Sequence, residues 1–141
     1  MSLMTAIEVG ASGLTAERRR LEVLVSNLVN ANTTQPAGTE PYRRKDVLFT
    51  ATNPEESFEA ALDDSIQGVE ISGIVTDRSE PIKRYEPNHP HADKDGYVSY
   101  PNVNAMEELV NVLSATRSYE ANLQAVSAAK DMQQKTLDIL K

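Results

Sequence analysis

Apolar residues recur at alternating spacings of four and three over the first thirty positions. Leu3, Ile7, Gly10, Leu14, Glu17, Leu21, Leu24, Leu28 and Ala31 form a seam at heptad period, which predicts one long helix over residues 3–31. Gly10 and Glu17 are its weak points. Each glycine in Gly10-Ala-Ser-Gly13 lowers helicity by about 1 kcal/mol, and each also permits close backbone approach by a neighbour. Asn27-Leu-Val-Asn-Ala-Asn-Thr-Thr34 competes with the helical backbone for hydrogen bonds, and Pro36 and Gly38 end the helix. Two readings of the seam stay open: a helix packed on its own core, or a seam completed by another chain.

The pattern changes after residue 40. Pro41–Thr50, Val69–Thr76, Ile82–Tyr85 and Tyr97–Tyr100 read as strands, with Gly73 as a candidate bulge. Asn53–Asp64 is acidic and reads as a short helix or a loop. Glu86–Gly96 is a loop stiffened by Pro87 and Pro90. A second long helix is predicted over 104–140, capped by Asn104 with Glu107 three residues on. It carries two stripes. One is Met106, Leu109, Leu113, Thr116, Leu123, Val126, Leu137 and Leu140; the other is Ala121, Ala125, Ala128, Met132 and Ile139.

The expected fold is mainly α with a small β insertion: two long terminal helices forming an antiparallel coiled-coil-like pair, with an antiparallel β unit projecting from one end. The expected divisions are 1–35 (assembly helix), 36–103 (β-rich outer unit) and 104–141 (assembly helix). Each helix of such a pair keeps an apolar side in water unless other copies cover it. The expected assembly residues are Leu3, Ile7, Leu14, Leu21, Leu24, Leu28, Met106, Leu109, Leu113, Leu123, Val126, Met132, Leu137 and Leu140.

Composition narrows the chemistry. The net charge is −7 over 141 residues. Residues 1–39 sum to zero, 40–96 to −6 and 97–141 to −1, so the ends are nearly neutral and no basic face is available for nucleic acid. The absence of cysteine excludes disulfides, thiolate zinc sites and a Cys nucleophile. No apolar run approaches a membrane span, and the start shows no cleaved export signal. His89, His91, Asp93 and Asp95 are the one cluster of metal-ligand types, but the EF-hand likeness fails because Asn102 stands where the bidentate Glu is needed; a stiffened polar turn explains them better. Arg18-Arg-Arg20 and Arg43-Arg-Lys45 read as solvated faces or inter-subunit ion-pair partners, with an anionic envelope polymer as a further option for the second. Glu107 and Glu108 read as helix-capping carboxylates. No catalytic constellation and no cofactor motif is present.

Several motifs carry a family likeness. Gly10-Ala-Ser-Gly-Leu14, Arg20-Leu21 and Ser26-Asn27-Leu-Val-Asn30-Ala-Asn32-Thr33 resemble the N-terminal signature of flagellar axial proteins. Tyr42-Arg43-Arg44-Lys45, Pro90, Gly96-Tyr97, Tyr100-Pro101-Asn102, Asn104, Glu107 and Arg117-Ser-Tyr119-Glu120-Ala-Asn122 narrow the resemblance to the FlgC-type proximal rod family of the flagellar basal body. Val29 and His91 depart from the family's usual Ala and Asp. The resemblance implies a structural subunit of the periplasmic rod, exported by the flagellar type III apparatus without a cleaved signal. Its termini would be disordered before assembly. Assembled, its terminal helices would line the inner tube and its β unit would face outward. The implied partners are other copies, other rod proteins, a base-adaptor subunit, surrounding ring proteins and the export apparatus, with no nucleic acid and no membrane insertion. A soluble helical-hairpin adaptor of the export machinery is the alternative reading.

Overall fold

The computed structural model describes residues 3–52 and 67–139. Helix α1 spans Leu3–Asn30. Strands β1 (Lys45–Thr52), β2 (Gly68–Thr76), β3 (Ile82–Tyr85) and β4 (Tyr97–Tyr100) follow, and helix α2 spans Ala105–Ile139. The expected acidic segment Asn53–Asp64 lies outside the described residues, as does Leu140.

Both helices end where their sequence requires. α1 closes in a tighter turn: the Ala31 N–H donates to the Leu28 carbonyl at 3.3 Å, and the Asn30 side-chain amide donates back to the Ser26 carbonyl at 2.8 Å. Asn104 caps α2: its Oδ1 accepts from the backbone N–H groups of Met106 and Glu107 at 3.1 and 3.4 Å.

The helices run antiparallel. Asn27 meets Glu108, and Gly13 faces Asn122. Asn27 and Gly13 are 14 positions apart, as are Glu108 and Asn122, so the two helices keep step over two heptads. The seam is lined by small and polar residues. A β-carbon added at Gly10 would stand 2.5 Å from Val126 Cγ2, and one at Gly13 would stand 3.0 Å from Asn122 Nδ2. On α1 the buried positions are Gly13, Ala16, Val23, Leu24 and Asn27. On α2 the buried or half-buried line is Glu108, Val112, Ala115, Tyr119, Asn122, Val126 and Ala129, spaced by fours and threes. The heptad pattern therefore exists on α2, one position away from the leucine stripe that suggested it. On α1 the burial is rotated from the leucine seam because strands cover that side as well. Glu17, the weak point of that seam, has one carboxylate oxygen 3.7 Å from the Arg20 guanidinium and the other buried without a hydrogen-bond partner.

The antiparallel β region expected between the helices is built of two two-stranded sheets, β1–β2 and β3–β4. In β1–β2, Leu48 pairs with Gly73 and Phe49 with Ile71, so Ser72 is the extra residue of a bulge beside Gly73; its hydroxyl donates to the Leu48 carbonyl at 3.2 Å. This sheet does not project from the helix end. It lies along α1, tied at Asn27 through both backbone polar groups of Lys45 and at Ser12, whose hydroxyl accepts from the Val69 N–H at 3.1 Å. Eight residues of β1 span about 26 Å at 3.3 Å each. The fifteen-residue path from Asn27 back to Ser12 covers about 22 Å of helix, so the lengths match. The β3–β4 sheet is joined to the rest through loops. His91 Nδ1 pairs with Thr34 Oγ1 at 2.8 Å, and Asn102 donates to Ser79 Oγ at 3.2 Å. Gly96, at φ 83°, takes the left-handed turn before β4 that an L side chain would resist. At the turn into β3, the Ser79 N–H donates to Asp77 and holds that carboxyl below its ordinary pKa.

Two effects compete at Gly10. Alanine would gain about 1 kcal/mol of helix propensity, while overpacking against the stiff Val126 side chain costs about 1–3 kcal/mol. At 2.5 Å the clash wins. Gly10→Ala lowers the urea midpoint, and Gly10→Ala combined with Val126→Ala shows a favourable coupling of about 1–2 kcal/mol in a double-mutant cycle. At Asp77 the folded-state pKa is depressed, so its contribution is present above the ordinary carboxylate pKa and is lost as pH falls through the lower folded value. Asp77→Asn therefore flattens the acid limb of the stability-versus-pH curve, and lowers the neutral-to-alkaline plateau without changing its slope.

Candidate assembly interface

Large apolar side chains lie outside the seam. Met106, Leu109, Val110 and Leu113 occupy positions i, i+3, i+4 and i+7 on the back of α2, and are 71, 42, 63 and 55% exposed. Leu123, Met132 and Leu137 continue the exposed apolar positions toward the C-terminal end, and α1 adds Leu3, Val25 and Val29. Of the residues expected at an assembly surface, Leu24 is instead buried in the chain's own core and Val126 packs at Gly10; Ile7, Leu14, Leu21 and Leu28 are half-buried. α2 also outruns its partner. Leu3 lies seven residues before Gly10, and Gln133 seven after Val126, so α2 beyond Gln133 passes the level where the described part of α1 begins.

A polar cluster joins this helical pair to the strands. Asn27 is fully buried and Glu108 is 1% exposed; among the described residues they are the buried polar side chains of the core. Asn27 Nδ2 donates to the Lys45 carbonyl at 2.8 Å and to Glu108 Oε2 at 3.1 Å. Its Oδ1 accepts from the Lys45 N–H at 3.0 Å and the Tyr42 hydroxyl at 2.8 Å. All four hydrogen-bonding positions of the amide are thus filled. Glu108 Oε1 receives Arg44 Nε at 2.6 Å, and the bond to Glu108 raises the Arg44 pKa further above its already high value. Asp46, 3.3 Å from the same guanidinium, adds to it. Lys45 Nζ lies 5.6 Å from the Tyr42 ring centroid, and the Tyr42 hydroxyl is 3.3 Å from Ser26 Oγ.

The family-signature residues thus divide. Ser26, Asn27, Tyr42, Arg44 and Lys45 come together at this one place. Asn122 lies in the seam and Tyr119 beside it, half-buried. Tyr97, Tyr100, Pro101 and Asn102 belong to the β3–β4 end: Tyr97 meets Tyr85 edge-on, and the Tyr100 hydroxyl donates to Glu86. Asn32, Pro90, Glu107, Arg117 and Glu120 are exposed. Glu108 was outside the expected set. Its heptad spacing from Ala115, opposite a basic run, was the one available signal. Most of the basic-run side chains meet carboxylates within the chain: Arg18 and Arg19 share Glu22, Arg20 pairs with Glu17, Arg43 with Glu40 and Arg44 with Glu108. His89 and His91 stack edge-on at 5.4 Å, and the His91 N–H donates to His89 Nδ1. The described residues contain no group of three or more His, Asp or Glu placed to hold a metal, and no helix among them is long and apolar enough to cross a membrane.

Removing Glu108 strands one donor of a buried amide and a guanidinium that is only 25% exposed. Because Arg44 keeps Asp46 and some water, Glu108→Ala costs about 2–4 kcal/mol, toward the lower end for a broken buried pair. Glu108→Gln, which keeps a hydrogen-bonding oxygen, costs less than half of that in urea denaturation.

Two family models match the chain. The one described as flagella basal body rod protein covers residues 7–36, and the one described as flagellar basal body rod FlgEFG protein C-terminal covers residues 94–139. These two stretches contain most of α1 and all of α2. Full-length relatives include flagellar basal-body rod protein FlgC of Borreliella burgdorferi, 39% identical with 99% of each chain covered, and that of Bacillus subtilis, 40% identical over the same shares. The FlgC of Salmonella typhimurium is 36% identical, covering 99% of this chain and 98% of the relative. With helices, strands and signature cluster all inside those alignments, the chain belongs to the FlgC family of flagellar basal-body rod proteins, which are structural and not enzymatic.

Proposed function

We propose that this rod subunit polymerises through its two terminal helices, with further copies and with other rod proteins, into the shaft that crosses the periplasm. Membership of the family implies assembly with other rod subunits. The observation that carries the finer reading is the exposed apolar row on α2, from Met106 through Leu113 to Leu137, on a helix whose seam is already filled by its own chain. Exposed surface of that kind is stabilised by association at about 25 cal/mol per Å2 buried, less the entropy of association. The assembly helices are 1–35 and 104–141, and 36–103 is the outer unit. The contact residues are the exposed subset: Leu3, Met106, Leu109, Leu113, Leu123, Met132 and Leu137, with Val25, Val29 and Val110 added. In the assembled rod the helices line the conduit for later-exported subunits, and the shaft carries torque from motor to hook. Export proceeds through the flagellar type III route without a cleaved signal.

Leu113→Asp separates folding from assembly, because Leu113 is more than half exposed. The purified variant keeps the wild-type unfolding free energy within the roughly ±0.5 kcal/mol typical of surface changes. Cells carrying it lack rods and do not swim. Motile cells with intact basal bodies would refute the assembly reading. A soluble complex of fixed stoichiometry with an export component, seen by sedimentation and unaffected by Leu113→Asp, would instead favour an adaptor.

A further inference from the structure

The small residues of the seam between α1 and α2 fix its register only in part. Gly10, Gly13 and Ala16 on one side meet a line containing Ala115 and Ala129 on the other. A shift of one heptad would bring Gly13 level with Ala115 or Ala129 instead of Asn122, a small residue against a small one. Packing at Gly13 therefore does not itself reject the shifted registers, and the fit of Val126 at Gly10 is the apolar contact that opposes them. The connections at 31–44 and 101–104 are irregular backbone, so they constrain a shift only partly.

What a shift cannot preserve is the meeting of Asn27 with Glu108. We infer that Asn27, Glu108 and Arg44 form a register lock, positioning residues that fix which turn of α2 stands beside which turn of α1. Asn27 supplies a buried amide with all four hydrogen bonds filled, two of them from the backbone of Lys45 at the start of β1. Glu108 supplies the buried carboxylate, and Arg44, one residue before β1, grips its second oxygen at 2.6 Å. Three segments distant in sequence must converge for every polar atom to be satisfied. Any other alignment buries an unpaired charge and an unpaired amide. A single buried polar residue specifies alignment in coiled coils in the same way. A one-heptad error would displace the exposed apolar row by about 10 Å relative to the strands. The lock therefore deepens the assembly reading by setting where that row is presented. It rests on that reading only for its use, because alignment can be measured on the isolated chain.

The chain has no cysteine, so introduced pairs report cleanly. Gly13→Cys with Asn122→Cys reports the native alignment. Gly13→Cys with Ala115→Cys, or with Ala129→Cys, reports the two shifted ones. With the lock intact, oxidation of the full-length protein yields the native cross-link, identified by peptide mass spectrometry. Placed in an Asn27→Leu, Glu108→Leu background, the shifted cross-links rise at least roughly tenfold relative to the native one while helical circular dichroism persists, since tenfold is what losing even one of the two charge-assisted hydrogen bonds of Glu108 would give. Arg44→Met repeats the test from the more exposed side of the cluster, with the same direction of change. A helical variant that still cross-links only through residues 13 and 122 overturns the lock. Loss of helical signal in both backgrounds also overturns it, since the cluster would then supply bulk stability and not alignment. Rod assembly is not read in this experiment, so a failure of the polymerisation reading leaves its outcome intact.

Discussion

The buried meeting of Asn27 and Glu108 is the constraint on which the other contacts depend. It places a charged carboxylate at 1% exposure, a location that is strongly unfavourable unless a cation and a complete set of hydrogen bonds accompany it. Arg44 and Asn27 meet that requirement, and in doing so they fix the start of β1 against α1 and the first turn of α2. The strand is thus held by polar specificity before its apolar face contributes. Val47 on β1 and Pro101 and Val103 just before α2 are buried on either side of this junction in the chain, and Val98 is buried in β4. Toward the other end of the pair, Ala129 is the last buried side chain on the described part of α2.

This arrangement reverses the usual placement of large and small residues. The helical seam is rich in glycine, alanine and polar groups, Val23 and Leu24 of α1 are buried, and the leucines and methionines of the described part of α2 stand outward. Close approach at Gly10 and Gly13 lets the two backbones pack without large side chains between them. A self-contained bundle would gain by turning those leucines inward. Outward placement is compatible with a subunit that assembles with other rod subunits, as membership of the family implies.

Much of the architecture was legible in the sequence. The heptad alternation from Leu3 gave α1, and the Asn-rich run gave its end. The β-branched runs gave β2, β3 and β4 to within a residue. Pro41–Arg44 read as strand although Tyr42, Arg43 and Arg44 are occupied by side-chain contacts and the ladder starts only at Lys45. The leucine stripe of α2 indicated a helix with an apolar side, but not which side packs at home. Both candidate lines have coiled-coil spacing, and the choice is made by the glycines of α1, which accept Val126 and Asn122 and not a row of leucines. Glu108 was read as a capping group beside Glu107 because adjacent acidic residues at a helix start satisfy the same rule. Only the third partner, sixty-four residues upstream at Arg44, distinguishes one from the other. The division of the β region into two sheets depends on pairing between strands, which local pattern does not specify.

The two attachments of the β1–β2 sheet to α1 have a mechanical meaning. Asn27 and Ser12 hold it at points about 22 Å apart along the helix. A sideways load on the sheet therefore reaches the helix as opposed forces on a lever arm, and neither fastening bears the whole moment. The sheet in turn splints the intervening four turns against bending.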